Sequence, residues 1–303
     1  MPLRQSILVG ALLALAAGTL FSFGSITVRL SPHLDAFQYL LWRSLGVVPP
    51  ILAMALYQRR SPIGQIMKSG WLGLAGGACL TGAALTFIFA MKTTTVANAL
   101  LFSSCAPLLG ALLARVLLKE PVAPITWTAI GLGVIGLLVM TGGEVGGGDM
   151  IGNVAAVGAA ICYALYSIVA RIGRDRDMSG VLTIYAVITA IITFVIVLIN
   201  KSDLATPWFE NSMPILHGAL FIGGGIVVFN MAARLVPAGQ LTLLAQTETV
   251  LGPLWVFLMF NEQPRLTTLI GGAVVLAGVM LAAWGEAQRS RRASIEEAAE
   301  VYR

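Results

Sequence analysis

Ten apolar runs of bilayer-spanning length dominate this sequence: 7–29, 36–57, 70–91, 95–117, 124–142, 151–171, 181–200, 213–234, 238–260 and 266–285. A helix needs about 20 such residues to cross the hydrocarbon layer, where every backbone N–H and C=O must be bonded within the chain. The runs are unbroken rather than alternating every second residue, which selects helices over a barrel. With 57% hydrophobic and 11% charged residues, the chain has too few charges to cover a water-facing surface. The expected fold class is an all-α polytopic membrane protein with ten transmembrane helices and the lipid bilayer as its solvent. The first run is longer than the roughly 7–15 residues of a signal-peptide core, so it reads as an uncleaved helix.

The placement of the basic residues predicts orientation. One side of the membrane collects 14 of them: Arg4, Arg59, Arg60, Lys68, Arg115, Lys119, Arg171, Arg174, Arg176, Arg234, Arg289, Arg291, Arg292 and Arg303. The other side holds four, Arg29, Lys92, Lys201 and Arg265. The positive-inside rule then puts both termini in the cytoplasm, in a multi-pass protein of the inner membrane. It also accounts for the net charge of +5 without a nucleic-acid partner. Cys79, Cys105 and Cys162 lie inside apolar runs and offer neither a disulfide framework nor metal-ligand spacing. No HExxH, GxSxG or P-loop string is present, so no enzyme class, metal or cofactor is indicated. Any active transport would be secondary.

Sliding the chain by 142 residues superposes it on itself. Gly10 falls on Gly152, Ser25 on Ser167, Arg29 on Arg171, Asp35 on Asp177, Gly82 on Gly224, Gly110 on Gly252, Glu120 on Glu262 and Gly136 on Gly278. Apolar coincidences are cheap in such a composition; matched Arg, Asp, Glu and Ser are not. The expected organisation is a first five-helix repeat over 1–141, a Gly-rich linker over 142–150, a second repeat over 151–285 and a charged tail over 286–303. Five spans per unit is an odd number, so the second repeat runs inverted. Transporters built this way bind substrate near the midplane at the repeat interface.

Polar residues inside spans are the expensive ones and mark the expected site. In the first span Ser22 and Ser25 share a face; in the sixth, Tyr163, Tyr166 and Ser167 do. These faces line a cavity or, on the plainer reading, glue helices together. Thr81-Gly82 and Gly223-Gly224-Gly225 pair in the repeat as an unwound site or hinge, with Asn230 close by; close packing of small residues is the alternative. Asn98, Ser103 and Pro107 mark the fourth span, and Gln240, Gln246, Glu248 and Pro253 the ninth. Pro107 lies over Thr249, so the two kinks are expected to differ. Glu248 has two readings: a partner for a substrate ammonium or coupling proton, or a structural partner of Arg43. Glu120 and Glu262 read as helix ends at the headgroup level.

The closing strings VLLKEPVAPITWTAIGLGVIGLLVM and FLMFNEQPRLTTLIGGAVVLAGVM resemble the ends of the repeats in the drug/metabolite transporter superfamily, in its EamA-type branch. Glu120 and Glu262 match the branch's acidic position, Gly136 and Gly278 its late glycine, and Pro107 its penultimate-helix proline, which Thr249 replaces in the second repeat. The chain is most similar to the YddG-like group of bacterial aromatic amino acid exporters. That resemblance implies a central cavity bounded by spans 1, 3, 4, 6, 8 and 9, and export of a small-molecule substrate from the cytoplasm by alternating access. The expected function is a secondary transporter or facilitator of neutral amino acids or related metabolites. The alternatives are an exporter of hydrophobic cations or drugs, and a membrane scaffold without transport. Nothing in the sequence demands more than a monomer.

Overall fold

Helix ends follow the sequence's punctuation. The computed structural model describes residues 3–57, 59–120, 122–142, 147–204, 206–236, 241 and 244–301. Gln240 and residues 143–146 of the 142–150 linker lie outside them. The first span is α1 (Leu3–Ser22) and α2 (Gly24–Arg29), interrupted at Phe23. Asp35 caps α3 (Ala36–Tyr57) by accepting the backbone N–H groups of Phe37 and Gln38 at 2.7 and 2.9 Å. Pro62 opens α4 (Pro62–Thr93), where its missing N–H costs nothing. This helix turns at Gly70, whose φ of +55° only glycine adopts freely, where the apolar run begins. Span four divides into α5 (Val96–Ser103) and α6 (Ala106–Leu117); α7 (Pro124–Gly142), α8 (Gly147–Ile172) and α9 (Val181–Ile199) follow.

Span eight is composite: α10 (Trp208–Leu216), a π-helical stretch His217–Gly224, and α11 (Gly225–Ala233). The three expected hinge glycines are therefore wound, not unwound. Gly223 accommodates the Pro50 ring and Gly225 the Phe21 ring, so glycine there is answering a packing demand. The last two elements are α12 (Thr247–Phe260), shorter than the other spans, and α13 (Leu266–Val301). The apolar part of α13 ends at Gly285, and the charged tail continues the same helix. Among the described residues, nine helices are long and apolar enough to cross a membrane, with α12 as a tenth, shorter apolar helix.

The 142-residue register is written into the backbone. Among the described residues, the non-glycine residues with positive φ are Arg59 and Lys201, at 52° and 53°, and Lys119 and Asn261, at 56° and 53°, two pairs of repeat mates. Turn bonds repeat as well: Arg60 N–H donates to Ala55 as Ser202 N–H does to Val197. Spans 3 and 6 pack as 8 and 1 do, 4 and 6 as 9 and 1, and 3 and 7 as 8 and 2, while spans 2 and 7 and spans 5 and 10 pair with their own mates. An approximate twofold axis therefore runs through the 2–7 and 5–10 contacts. At the second of these, Gly136 sits on the Gly271 carbonyl and Gly278 on the Ala129 carbonyl, again mated positions.

The breaks in spans four and nine correct the expectation from the prolines. They fall at Ser104 and Gln246, repeat mates, although the prolines are not mates. In span four Pro107 lies at the start of α6 and cannot donate back into α5. In span nine hydroxyls do the same work: Thr247 Oγ1 donates to Leu244 O at 2.6 Å and Thr249 Oγ1 to Gln246 Oε1 at 2.9 Å. Side-chain bonds of this kind compete with helix continuation, so two chemistries yield one geometry.

Candidate functional site

The break at Gln246 puts Glu248 in the first turn of α12, where the positive end of the helix dipole favours an anion. Glu248 is partly exposed, and no hydrogen bond or ion pair holds it among the described residues. Its charge lies within reach of Tyr163, which is 52% exposed although it is mid-span in α8. Tyr166 packs beside Tyr163, ring centroids 5.9 Å apart. A carboxylate within electrostatic reach of a phenol ring, with a second ring packed beside it, suits an organic cation or ammonium group.

The other expected site residues divide by burial. Ser22 and Ser25 are buried; Ser22 Oγ accepts the indole N–H of Trp255 at 3.0 Å. Thr81 is bonded to Thr189 at 3.0 Å, joining α4 to α9. Asn98 is buried, accepting Thr268 Oγ1 at 2.8 Å and donating to Thr94 Oγ1 at 3.3 Å. Ser103 donates to Ala99 O at 2.7 Å within its helix. Ser167 is partly exposed on the Tyr163 face and donates to Tyr163 O at 3.1 Å. Asn230 is exposed on α11, and Gln246 Oε1 is taken by Thr249. Thus Glu248, Tyr163, Tyr166 and Ser167 are at least partly exposed, while Ser22, Thr81 and Asn98 tie spans together and Ser25 donates back to Ser22 O within its own span.

Arg43, 5% exposed, does not pair with Glu248. Its Nη2 donates to the Tyr185 hydroxyl at 2.6 Å, and Arg43 and Tyr185 are themselves repeat mates. The structural reading of Glu248 as the partner of Arg43 is therefore not realised. Next to them Tyr39 shares hydrogen bonds of 2.7 Å with Thr27 and with His217 Nδ1. This buried polar chain joins spans 1, 2 and 8. An aromatic cluster was also not foreseen: Phe23 stacks on Trp255 at 5.6 Å and approaches Phe221 at 5.5 Å. Its signal was the Phe-rich end of the first span.

Glu120 and Glu262 do more than end helices. Arg29 Nε donates to Glu262 Oε2 at 2.7 Å, and Arg171 Nη1 to Glu120 Oε2 at 2.8 Å. Exchanging mates turns one pair into the other. The left-handed residues Lys119 and Asn261 aim each Glu back across the bundle. The Arg29 guanidinium also bonds Met91 O and Thr94 O, and Glu262 Oε1 accepts Val96 N–H, so this pair staples spans 1, 3 and 4 to the 9–10 turn. A parallel set follows: Ser202 donates to Asp35 at 3.0 Å, and Arg60 to Asp177 at 3.3 Å. Hydrogen bonds from Ser179 hold the Asp177 carboxyl below the usual carboxylate range. Because the Arg29–Glu262 pair is 22% exposed and the other about half exposed, Arg29→Gln is expected to destabilise by about 2 kcal/mol and Arg171→Gln by under about 1. Thermal unfolding of the two variants in detergent checks the order.

The model of the EamA-like transporter family matches residues 6–142 and 150–284, one copy in each half. The chain belongs to the EamA-like transporter family. Two relatives carry the same sense. Human solute carrier family 35 member G1 is 23% identical over 93% of this chain and 81% of its own. An uncharacterized transporter of Archaeoglobus fulgidus is 30% identical over 71% of this chain and 76% of its own. A solved crystal structure, 18% identical, covers 90% of this chain and 95% of its own at a TM-score of 0.65, which establishes a shared fold. As a member of the EamA-like family within the drug/metabolite superfamily, this multi-pass membrane protein is a transporter of small solutes.

Proposed function

We propose that this EamA-like transporter exports neutral amino acids, aromatic ones among them, across the cytoplasmic membrane by alternating access. The observation that supports the reading is Glu248, with no counter-ion among the described residues, within electrostatic reach of Tyr163, whose ring packs beside Tyr166. The carboxylate takes the substrate ammonium, the rings take an apolar or aromatic side chain, and Ser167 supplies a hydroxyl at the rim. In this reading the units 1–141 and 151–285 move against each other, joined by 142–150, with both termini and the 286–303 tail in the cytoplasm. Gln246, Asn230 and the break at Ser104 lie on moving elements, and Gly82, Pro107 and Pro253 ease bending.

One feature favours a second substrate class. Arg43 bonds Tyr185 rather than Glu248, which has no cationic partner among the described residues, and a lone hydrophobic cation would also satisfy that carboxylate. Uptake into proteoliposomes separates the two. Labelled phenylalanine and threonine are offered first without a gradient and then with a pH gradient, beside phenethylamine, which lacks the carboxylate. Saturable uptake of both amino acids is the expected result. Uptake of the amine alone would replace amino acid export by cation export, and stimulation by the pH gradient would add proton coupling.

A further inference from the structure

One cation inside the bundle lacks a counter-charge. Arg43 sits in α3, 5% exposed, and a guanidinium stays protonated even when buried. Among the described residues it joins no ion pair, and its one hydrogen bond is the donation from Nη2 to Tyr185. Its Nε is buried without any partner there. Tyr185, 7% exposed, accepts from Arg43 and gives its own hydroxyl proton to no acceptor among the described residues. Glu248 is the one acid inside an apolar run, and it does not pair with Arg43. The groups within reach of the Arg43 charge, Tyr39 and His217, are a phenol and an imidazole. Lys92 Nζ, 5.5 Å from the Tyr39 ring centroid, adds a further positive charge to that side. The fold does not ask for this polarity. The repeat mates of Thr27, Tyr39 and His217 are Val169, Val181 and Ala75. In that half the two valines converge on Gly76, 3.6 and 3.4 Å from where a Cβ would stand. Methyl groups fill the place in one half, and hydrogen-bonding groups beside a buried cation fill it in the other.

We propose that Arg43 and Tyr185 form a binding site for one small anion, a halide or a carboxylate, between spans 2 and 7. The guanidinium supplies the charge and its Nε–H, and the phenol supplies its O–H; both donors are otherwise unused. A buried donor without a protein partner is met by an ion or by ordered water, and the uncompensated charge selects the ion. A lone cation at this depth is costly, and a bound anion offsets that cost without any acid in the chain. Arg43 and Tyr185 are repeat mates in direct contact, so the site lies at the approximate twofold axis and belongs to neither half alone. It is distinct from the Glu248 site, which takes a cationic group. The anion is a resident ligand that tightens the 2–7 contact, whatever solute the transporter carries.

Thermal unfolding of the purified protein in detergent tests this. Sodium gluconate, whose anion is too large for a buried site, is exchanged for sodium chloride or sodium formate at constant ionic strength. The unfolding midpoint is expected to rise by about 3 °C or more between about 1 mM and about 100 mM of the small anion. A rise with chloride alone assigns a halide, with formate alone a carboxylate, and with both a site that admits either. No rise with either overturns the proposal, because water then meets the unused donors. Tyr185→Phe keeps the ring and removes one donor, so its half-saturating anion concentration is expected to rise about threefold or more. Arg43→Gln is expected to lose the response. A response unchanged in Tyr185→Phe places the anion elsewhere and overturns the assignment, even if Arg43→Gln fails to fold. No uptake is read here, so a failure of the amino acid reading leaves this result untouched.

Discussion

Glu248→Gln folds, and its flux of amino acid falls tenfold to a hundredfold. The substitution keeps the size and hydrogen-bonding reach of the side chain and removes only the charge. Among the described residues Glu248 is in no ion pair, and Arg43 bonds Tyr185 instead, so the usual penalty for breaking a buried ion pair does not arise. The fold loses at most the favourable placement of an acid in the first turn of α12, about 0.3–1 kcal/mol. Substrate binding loses a hydrogen bond to a charged group, worth about 1.5–3 kcal/mol, which is the tenfold to hundredfold range. The readouts are thermal unfolding in detergent for the first effect and initial uptake rate for the second. An unfolded variant would return Glu248 to a structural role, and undiminished flux would remove it from the site.

Gly136→Ala loses about 1–3 kcal/mol of stability, and Gly131→Ala, five residues away on the same helix, loses none. The contrast is steric. A Cβ at Gly136 would lie 2.5 Å from the Gly271 carbonyl oxygen and 2.8 Å from the Val275 nitrogen, both backbone atoms that cannot swing aside. The 5–10 helix pair would have to part along its length. At Gly131 nothing lies within 4 Å, and Ala has the better helix propensity by about 1 kcal/mol. Denaturation midpoints of the two variants measured side by side decide the matter. Equal midpoints would mean that the helix pair is not as close as the glycine seam implies.

Much of the architecture was legible because membrane helices announce themselves locally. Length, apolarity and the charge at span ends are properties of consecutive residues, and the repeat is a property of register. The mated Arg, Asp and Glu residues pointed to symmetric positions, yet their pairing with each other did not follow. Arg29 meets Glu262 across 233 residues, a contact that exists only once spans 1, 9 and 10 are packed. Reading the two acids as helix ends stopped one step short. The site was legible in part: Glu248 and Tyr163 stood out as costly residues in apolar runs. What could not be read was which polar residues face space. Ser25 and Ser167 are the same residue at the same repeat position, and one is buried while the other is not.

The sequence by itself determined a helical membrane protein written twice, and hence the approximate twofold axis, because hydrophobic length and repeat register act on each span independently of its neighbours. Only the tertiary structure decided that the breaks in spans four and nine coincide, since proline in one and hydroxyl bonds in the other reach the same bend. It alone decided which of the mated serines, Ser25 or Ser167, is buried. An inverted repeat makes the two arrangements nearly equivalent in local terms, and the choice between them belongs to the packing of the whole bundle.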